Sequence, residues 1–252
     1  MKKMIMLGCI MLAVLAAVTG SVAFFTDSVE SANNVITAGN IDIMQHEYER
    51  VQENGMFTGA VQAYTQEKDI YPCMITANSS RREITVDGAA VQMYDETVPG
   101  FVDKIVNAEN VGRNIAYVRI FVAIPAQGGE AWLHMDKNPD VNWVWSDFVI
   151  ENQLINGQAY DLHMATYEKQ LQPGEFTSPA ILGFYLDGEV DHDKGHLTYQ
   201  GDSVFDMQQE LSILVCTEAS QAIVFADAAD GLNTTFGEFE KGHHPWGEES
   251  AH

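Results

Sequence analysis

Residues 115–124 constrain the fold more than any other stretch of the chain. Ala116, Val118, Ile120, Val122 and Ile124 alternate with Tyr117, Arg119 and Phe121. That period of two places one set on each face of a β-strand. Pro125 removes a ladder donor and ends the run. Phe101 to Ala108 is a second extended run, introduced by Val98-Pro99-Gly100. Asn110-Val111-Gly112-Arg113-Asn114 lies between the two and predicts a hairpin.

Other strands follow the same logic. Val35, Ile36, Ile41 and Ile43 read as one strand with alternate faces. Residues 46–70 are charged and without clear period, a loop or weak hairpin around Asn54-Gly55. Ile84 and Val86 alternate with Thr85 and Asp87 up to the turn pair Asp87-Gly88. Residues 141–150 carry Trp143 and Trp145 on one face. Residues 180–186 are apolar on both faces, as a central strand requires, and Leu211, Ile213 and Val215 alternate again. Residues 227–236 are the one helical pattern, with Ala228, Ala229, Leu232 and Phe236 in a stripe. Residues 238–252 are expected to be a disordered polar tail. Many short strands, turn signals and little helix predict an all-β jelly-roll β-sandwich with one short C-terminal helix, over residues 24–237. No repeat of fixed period occurs.

The N-terminus points to export. Lys2 and Lys3 precede an apolar run over residues 4–18, and Ser21 and Ala23 are small residues placed as a signal peptidase requires. Residues 1–23 therefore read as a signal peptide cut between Ala23 and Phe24. The alternative is an uncleaved anchor, but the run is short of the ~20 residues a spanning helix needs. The formal net charge of -23, from 13 Lys and Arg against 36 Asp and Glu, repels nucleic acid and anionic membranes. Cys9 lies inside the signal. Cys73 and Cys216 remain, and an exported pair forms either one disulfide or two buried thiols.

At the junction, Ala23-Phe24-Phe25-Thr26-Asp27-Ser28 is followed by Val35-Ile36-Thr37-Ala38-Gly39-Asn40-Ile41-Asp42-Ile43. This resembles the TasA/camelysin (CalY) family, exported proteins of Gram-positive bacteria with a SipW-dependent type of signal. Val35-Ile36 stands where that family commonly has an aromatic. Two further stretches resemble the broader group. One runs from Val98-Pro99-Gly100 through Ala116-Tyr117-Val118-Arg119-Ile120. The other runs from Val215 through Phe225 to Phe236-Gly237. Residues 46–95 and 127–175 match no pattern of the family. The resemblance implies a jelly-roll sandwich and a place in the fibres of a biofilm matrix or on the cell surface. It also implies processing by a SipW-type signal peptidase. Partners would be further copies of the chain or related matrix proteins, joined when the freed segment Phe24, Phe25, Thr26 and Asp27 adds as a strand to a neighbour. Two aromatics at a new terminus suit that role, since burying each contributes roughly 1.5–3 kcal/mol. The alternative is packing onto their own domain.

Camelysin-like proteins have been classed as metallopeptidases, but the chain lacks the ligands. His46-Glu47-Tyr48-Glu49-Arg50 has Arg50 where a second histidine belongs, and catalytic zinc wants three protein ligands. Neither a nucleophile elbow, a phosphate loop nor a dinucleotide fingerprint occurs. No catalytic residue and no obligatory cofactor is therefore expected. Asp191 and Asp193, with Gly195, have the spacing of a short Ca²⁺ loop, but the remaining ligands are missing and Lys194 adds a positive charge, which favours the alternative of an acidic hairpin turn. His243, His244 and His252 fall in the tail. Tyr117, Phe121, Trp143 and Trp145 would either line a glycan-binding face or fill the core. No Leu-Pro-x-Thr-Gly run occurs near the end, so covalent wall attachment is not expected.

Overall fold

The computed structural model describes residues 23–25, 35–38, 41–65, 68–70, 72–73, 75–76, 78–95, 98, 100–126, 129–207 and 211–247. The signal segment up to residue 22, with Thr26 and Asp27, lies outside them.

Strands β1 (Ala23–Phe25) and β2 (Val35–Ala38) precede the long hairpin of β3 (Ile43–Glu53) and β4 (Met56–Ala63). The short β5 (Lys68–Ile70) leads to a second hairpin, β6 (Arg81–Val86) and β7 (Ala89–Tyr94). Then come β8 (Val102–Asn110), β9 (Ala116–Pro125), the one-turn helix α1 (Gly129–Trp132) and β10 (Leu133–Lys137). Next are β11 (Trp143–Trp145), β12 (Ile150–Ile155), β13 (Gln158–Leu171) and β14 (Ile181–Leu186). The chain closes with β15 (Val190–Asp193), β16 (His196–Tyr199), β17 (Asp202–Asp206), β18 (Leu214–Gln221) and α2 (Ala228–Phe236). A 3-10 turn (Phe239–Lys241) follows.

Two sheets make the sandwich. The first has the order β10-β14-β8-β3-β4, and the second the order β11-β13-β9-β18-β2, with β12 also paired to β13. From β9 onward the main strands alternate between the sheets, as in a jelly roll: β9, β13 and β18 lie in the second, β10 and β14 in the first. The expected all-β sandwich with a short C-terminal helix is therefore the fold the chain adopts. The core lies between the sheets, where Val102, Val106, Ile181 and Phe184 meet Val118, Ile120, Val122 and Val215.

Three local expectations change. β8 and β9 do not pair; they lie in opposite sheets. The link between them crosses the sandwich because the Asn110 side-chain amide donates to the carbonyls of Asn114 and Leu171, each at 2.8 Å. Only glycine fits at position 112, where a Cβ would stand 2.6 Å from the backbone nitrogen of Asp42. Residues 35–43 do not form one strand. β2 runs parallel to β18 in the second sheet while β3 joins β8 in the first. Residues 46–63 are no weak insertion but most of the β3–β4 hairpin, turned at Asn54 and Gly55, whose φ values are 54° and 78°.

The expected disordered tail is packed through Gly247. Phe239 is fully buried against Phe121, and Trp246 and Phe148 pack at the same place. The helix begins where the sequence indicates: the Asp227 side chain caps it by accepting from the Asp230 amide at 2.8 Å. Polarity hid the rest, because a segment that lays two aromatics and one histidine onto a sheet needs no periodic pattern.

Candidate functional site

β1 lies outside both main sheets, in a two-stranded antiparallel ribbon with β5. Ala23 stands opposite Ile70, Phe24 opposite Asp69 and Phe25 opposite Lys68. The bond between Ala23 and Phe24, the expected cleavage point, is thus inside the ribbon.

Beneath the ribbon the inner face of β3 changes character. Ile41 and Ile43 are core, but Gln45, Glu47 and Glu49 continue the same face as polar residues. Each finds partners, as burial demands. The Thr217 hydroxyl donates across the sandwich to Gln45 Oε1 at 2.7 Å, and Gln45 Nε2 donates to Glu47 Oε1 at 2.7 Å. The other oxygen of Glu47 accepts from Lys104 Nζ at 2.8 Å. Lys104, on the inner face of β8, is 0% exposed. Burial pushes its ammonium down to about 7.

Tyr64 joins this row to the ribbon. Its ring lies 4.7 Å from Lys104 Nζ and 5.6 Å from Lys68 Nζ. Lys68, on β5, pairs with Glu49 at 2.5 Å, and Gln62 and Thr65 donate to the same carboxylate at 2.8 and 3.1 Å. Burial alone would raise the Glu49 carboxyl; the bonds from Lys68, Gln62 and Thr65 overcome it and hold it below the ordinary carboxylate value. Ile70, 2% exposed, anchors the other end of β5 in the core.

The opposite face of β3 carries Arg50, whose Nε and Nη2 grip Asp103 at 2.7 and 2.6 Å while Nη1 donates to the Tyr94 carbonyl. Its guanidinium lies 3.7 Å from the Phe57 ring centre. A cleft of 380 Å³ opens here, lined by Glu49, Gln52, Phe57, Gln62 and Lys68 among others. It adjoins the ribbon through Lys68, and its charges are already matched to one another.

A third buried charge pair lies on the outer face of the second sheet. Arg119 of β9 and Glu218 of β18 are each 1% exposed and 2.6 Å apart. Arg119 also donates to Asn233 Oδ1 at 3.0 Å and to the Gly237 carbonyl at 3.1 Å, and Glu218 meets His243 Nε2 at 2.8 Å. Three separate attachments therefore tie α2 and residues 237–243 to the sheet.

The remaining sequence candidates resolve as follows. Asp191 and Asp193 are exposed on β15 of the β15–β16 hairpin, whose turn residues Lys194 and Gly195 have φ of 51° and 88°. Asp191 accepts from the amide of His192, and Asp193 lies 3.4 Å from Lys194. Among the described residues, no group of three or more His, Cys, Asp or Glu is placed to hold a metal. The two carboxylates therefore stand on a β-hairpin, without converging oxygens among the described residues. His46 and Glu47 point to opposite faces of β3, His46 toward Glu109 at 2.8 Å and Glu47 toward Lys104. The candidate disulfide is absent: Cys73 and Cys216 are both free and buried. Cys73 packs beside Tyr94 and Val98, while Cys216 sits in β18 opposite Phe121 of β9. Burial raises the two thiols to about 11 and about 12. Tyr117, Phe121 and Trp143 are buried, so that aromatic set is core, and Trp145 is partly covered.

Sequence reasoning missed all three buried charge pairs. Arg119 stands out in an otherwise apolar strand and Glu47 among polar neighbours, so only the first left a signal. Comparison with protein-family models, curated proteins and solved structures finds no match to the chain.

Proposed function

We propose that the chain is an exported structural subunit of the TasA/camelysin type, a matrix-fibre or cell-surface protein that associates by N-terminal strand exchange. The observation that carries this reading is the β1–β5 ribbon. It places the segment around the expected cleavage point on an edge of its own, paired through three residues and belonging to neither main sheet. A strand so held can leave its own β5 for that of a second copy without disturbing the sandwich, which gives a head-to-tail contact that does not close. Removal of residues 1–23 by a SipW-type peptidase would free the end that moves. The segment beginning at Phe24 is the donor, and β5 with the adjoining cleft is the acceptor. The mature protein acts outside the cell, without nucleic acid, membrane or cofactor, and it is a binding protein rather than an enzyme.

The test is negative-stain electron microscopy of tag-free protein beginning at Phe24, beside a version beginning at Val29. Filaments from the first and none from the second are expected. Equal behaviour of the two would overturn the role of β1.

A further inference from the structure

A second cleft, of about 420 Å³, opens on the outer face of the first sheet, where the edge strand β10 meets the end of β14. Strand pairing fixes its floor. Leu133 and Leu186 face each other in the core, so the next pair, His134 and Tyr185, projects from the opposite side. Their ring centres lie 5.0 Å apart. The Cys73 amide donates to the Leu186 carbonyl at 3.0 Å, and Cys73, Ile75 and Thr76 form a further wall. Asp187, Gly188 and Glu189 complete the lining.

The rim is acidic and accepts hydrogen bonds. Asp187 Oδ1 accepts from the Glu189 amide at 2.8 Å, and Oδ2 lies 3.1 Å from His134 Nε2. The bond from the Glu189 amide, together with the imidazole, outweighs partial burial and holds the Asp187 carboxyl below its ordinary value. A carboxylate only accepts, so Nε2 carries the proton and Nδ1 of the neutral ring is left as an acceptor. Among the described residues, neither that nitrogen, nor the Glu189 carboxylate, nor the thiol of Cys73, 2% exposed, makes a hydrogen bond. The contrast with the cleft at Arg50 is one of charge. There Arg50 is matched with Asp103 and Lys68 with Glu49. Here no Lys or Arg is among the described lining residues. Arg81, the cation that acts on the Tyr185 hydroxyl, is gripped by Asp136 at 2.8 and 3.0 Å.

We propose that this cleft binds a primary ammonium group on an unbranched hydrocarbon stem, supplied by a lysine side chain or by a free diamine. An ammonium has three N–H donors and no acceptor, which complements two carboxylates and an imidazole nitrogen. Asp187 and Glu189 take its charge, and the acidic chain draws cations toward itself. The stem lies against Ile75 and the Tyr185 ring, whose face also attracts the cation. A neutral sugar would leave both carboxylate charges unmatched. The cleft shares no lining residue with the β1–β5 ribbon, and the proposal is independent of strand exchange.

Isothermal titration calorimetry at neutral pH tests this on the protein beginning at Phe24. The probes are cadaverine, Nα-acetyl-lysine amide and the same amide acetylated at Nε. Both amines should bind; the Nε-acetylated amide, which keeps the stem without the charge, should not. Asp187→Asn and Glu189→Gln should each weaken binding about tenfold, since each removes a bond to a charged group. Glu189 is exposed and unpaired, so Glu189→Gln should melt as the wild type does and decides the case if Asp187→Asn disturbs the turn. Tighter binding of the lysine amide assigns the cleft to a polypeptide side chain, and tighter binding of cadaverine to a free amine; both support the site. Absence of binding, equal binding of the acetylated amide, or an affinity unchanged by Glu189→Gln would overturn it.

Discussion

The two ends of the chain are fastened to the sandwich in opposite ways. Among the described residues, the N-terminal ribbon touches the body through β5, by the buried Ile70, the ion pair of Lys68 to Glu49, its bond to Thr65 and the Tyr64 ring. The C-terminal segment lies over β9 and β18, with Phe239 fully buried and Arg119 spread over Glu218, Asn233 and Gly237. Each end covers a buried cation paired with a glutamate. At the C-terminus the cation's donors reach into the covering segment itself, so lifting that segment breaks charge-assisted bonds. At the N-terminus the described ion pair of the cation runs to Glu47 of its own sheet. The C-terminal segment is therefore held by charge-assisted bonds of its own, although both look like closing segments.

The strongest way to break this contrast is Arg119→Ala. It strands Glu218 in a dry site and should cost about 3–5 kcal/mol of global stability, read as a lower urea midpoint. A loss below 1 kcal/mol would mean the C-terminal segment is not held by these bonds. Phe239→Ala should follow at about 3–4 kcal/mol, with the ribbon amides exchanging locally as before. Glu49→Gln acts at the other end. It should change global stability by about 1 kcal/mol or less while speeding exchange at β5, because it removes only the partly exposed pair with Lys68.

Acid sharpens the same point. The folded Glu49 carboxyl sits below its ordinary value, so its contribution is complete above the unfolded value and is lost as pH falls through the folded one. Release of β5 should therefore show an acid step below pH 4.5, absent in Glu49→Gln. The smallest effect concerns sulfur. A thiol reagent at pH 8 should find neither Cys73 nor Cys216 in the folded mature protein and both after unfolding. A reducing agent should leave the melting temperature unchanged.

Legibility in the sequence followed locality. The β6–β7 turn announced itself in Asp87-Gly88, with φ of 46° and 84°, and the helix in its Asp227 cap. The central place of β14 showed in an apolar run with no polar face, and the structure sets that strand between β10 and β8. The link after Asn110 looked like a hairpin because Asn and Gly serve tight turns and sheet-to-sheet crossings alike. What separates the two is a bond to Leu171, 61 residues away. The acidic hairpin at Asp191 and Asp193 had the spacing of a cation loop, but the strand pairing leaves the carboxylates exposed, with no further ligand group among the described residues.

By itself the sequence determined the strand-rich class, the acidic surface, the start of the helix and the aromatic segment after the expected cleavage point. Each of these depends on residues within a few positions of one another. Only the tertiary structure decided which strands share a sheet, that the polar tail is packed, that the cysteines stay apart, and that β1 rests on β5 above Lys104. Those outcomes depend on contacts between distant residues. Lys104 and Glu47 are 57 positions apart, and Arg119 and Glu218 are 99 apart. No local pattern marks which buried charge will find its partner, because the partner is chosen by the sheets that carry it.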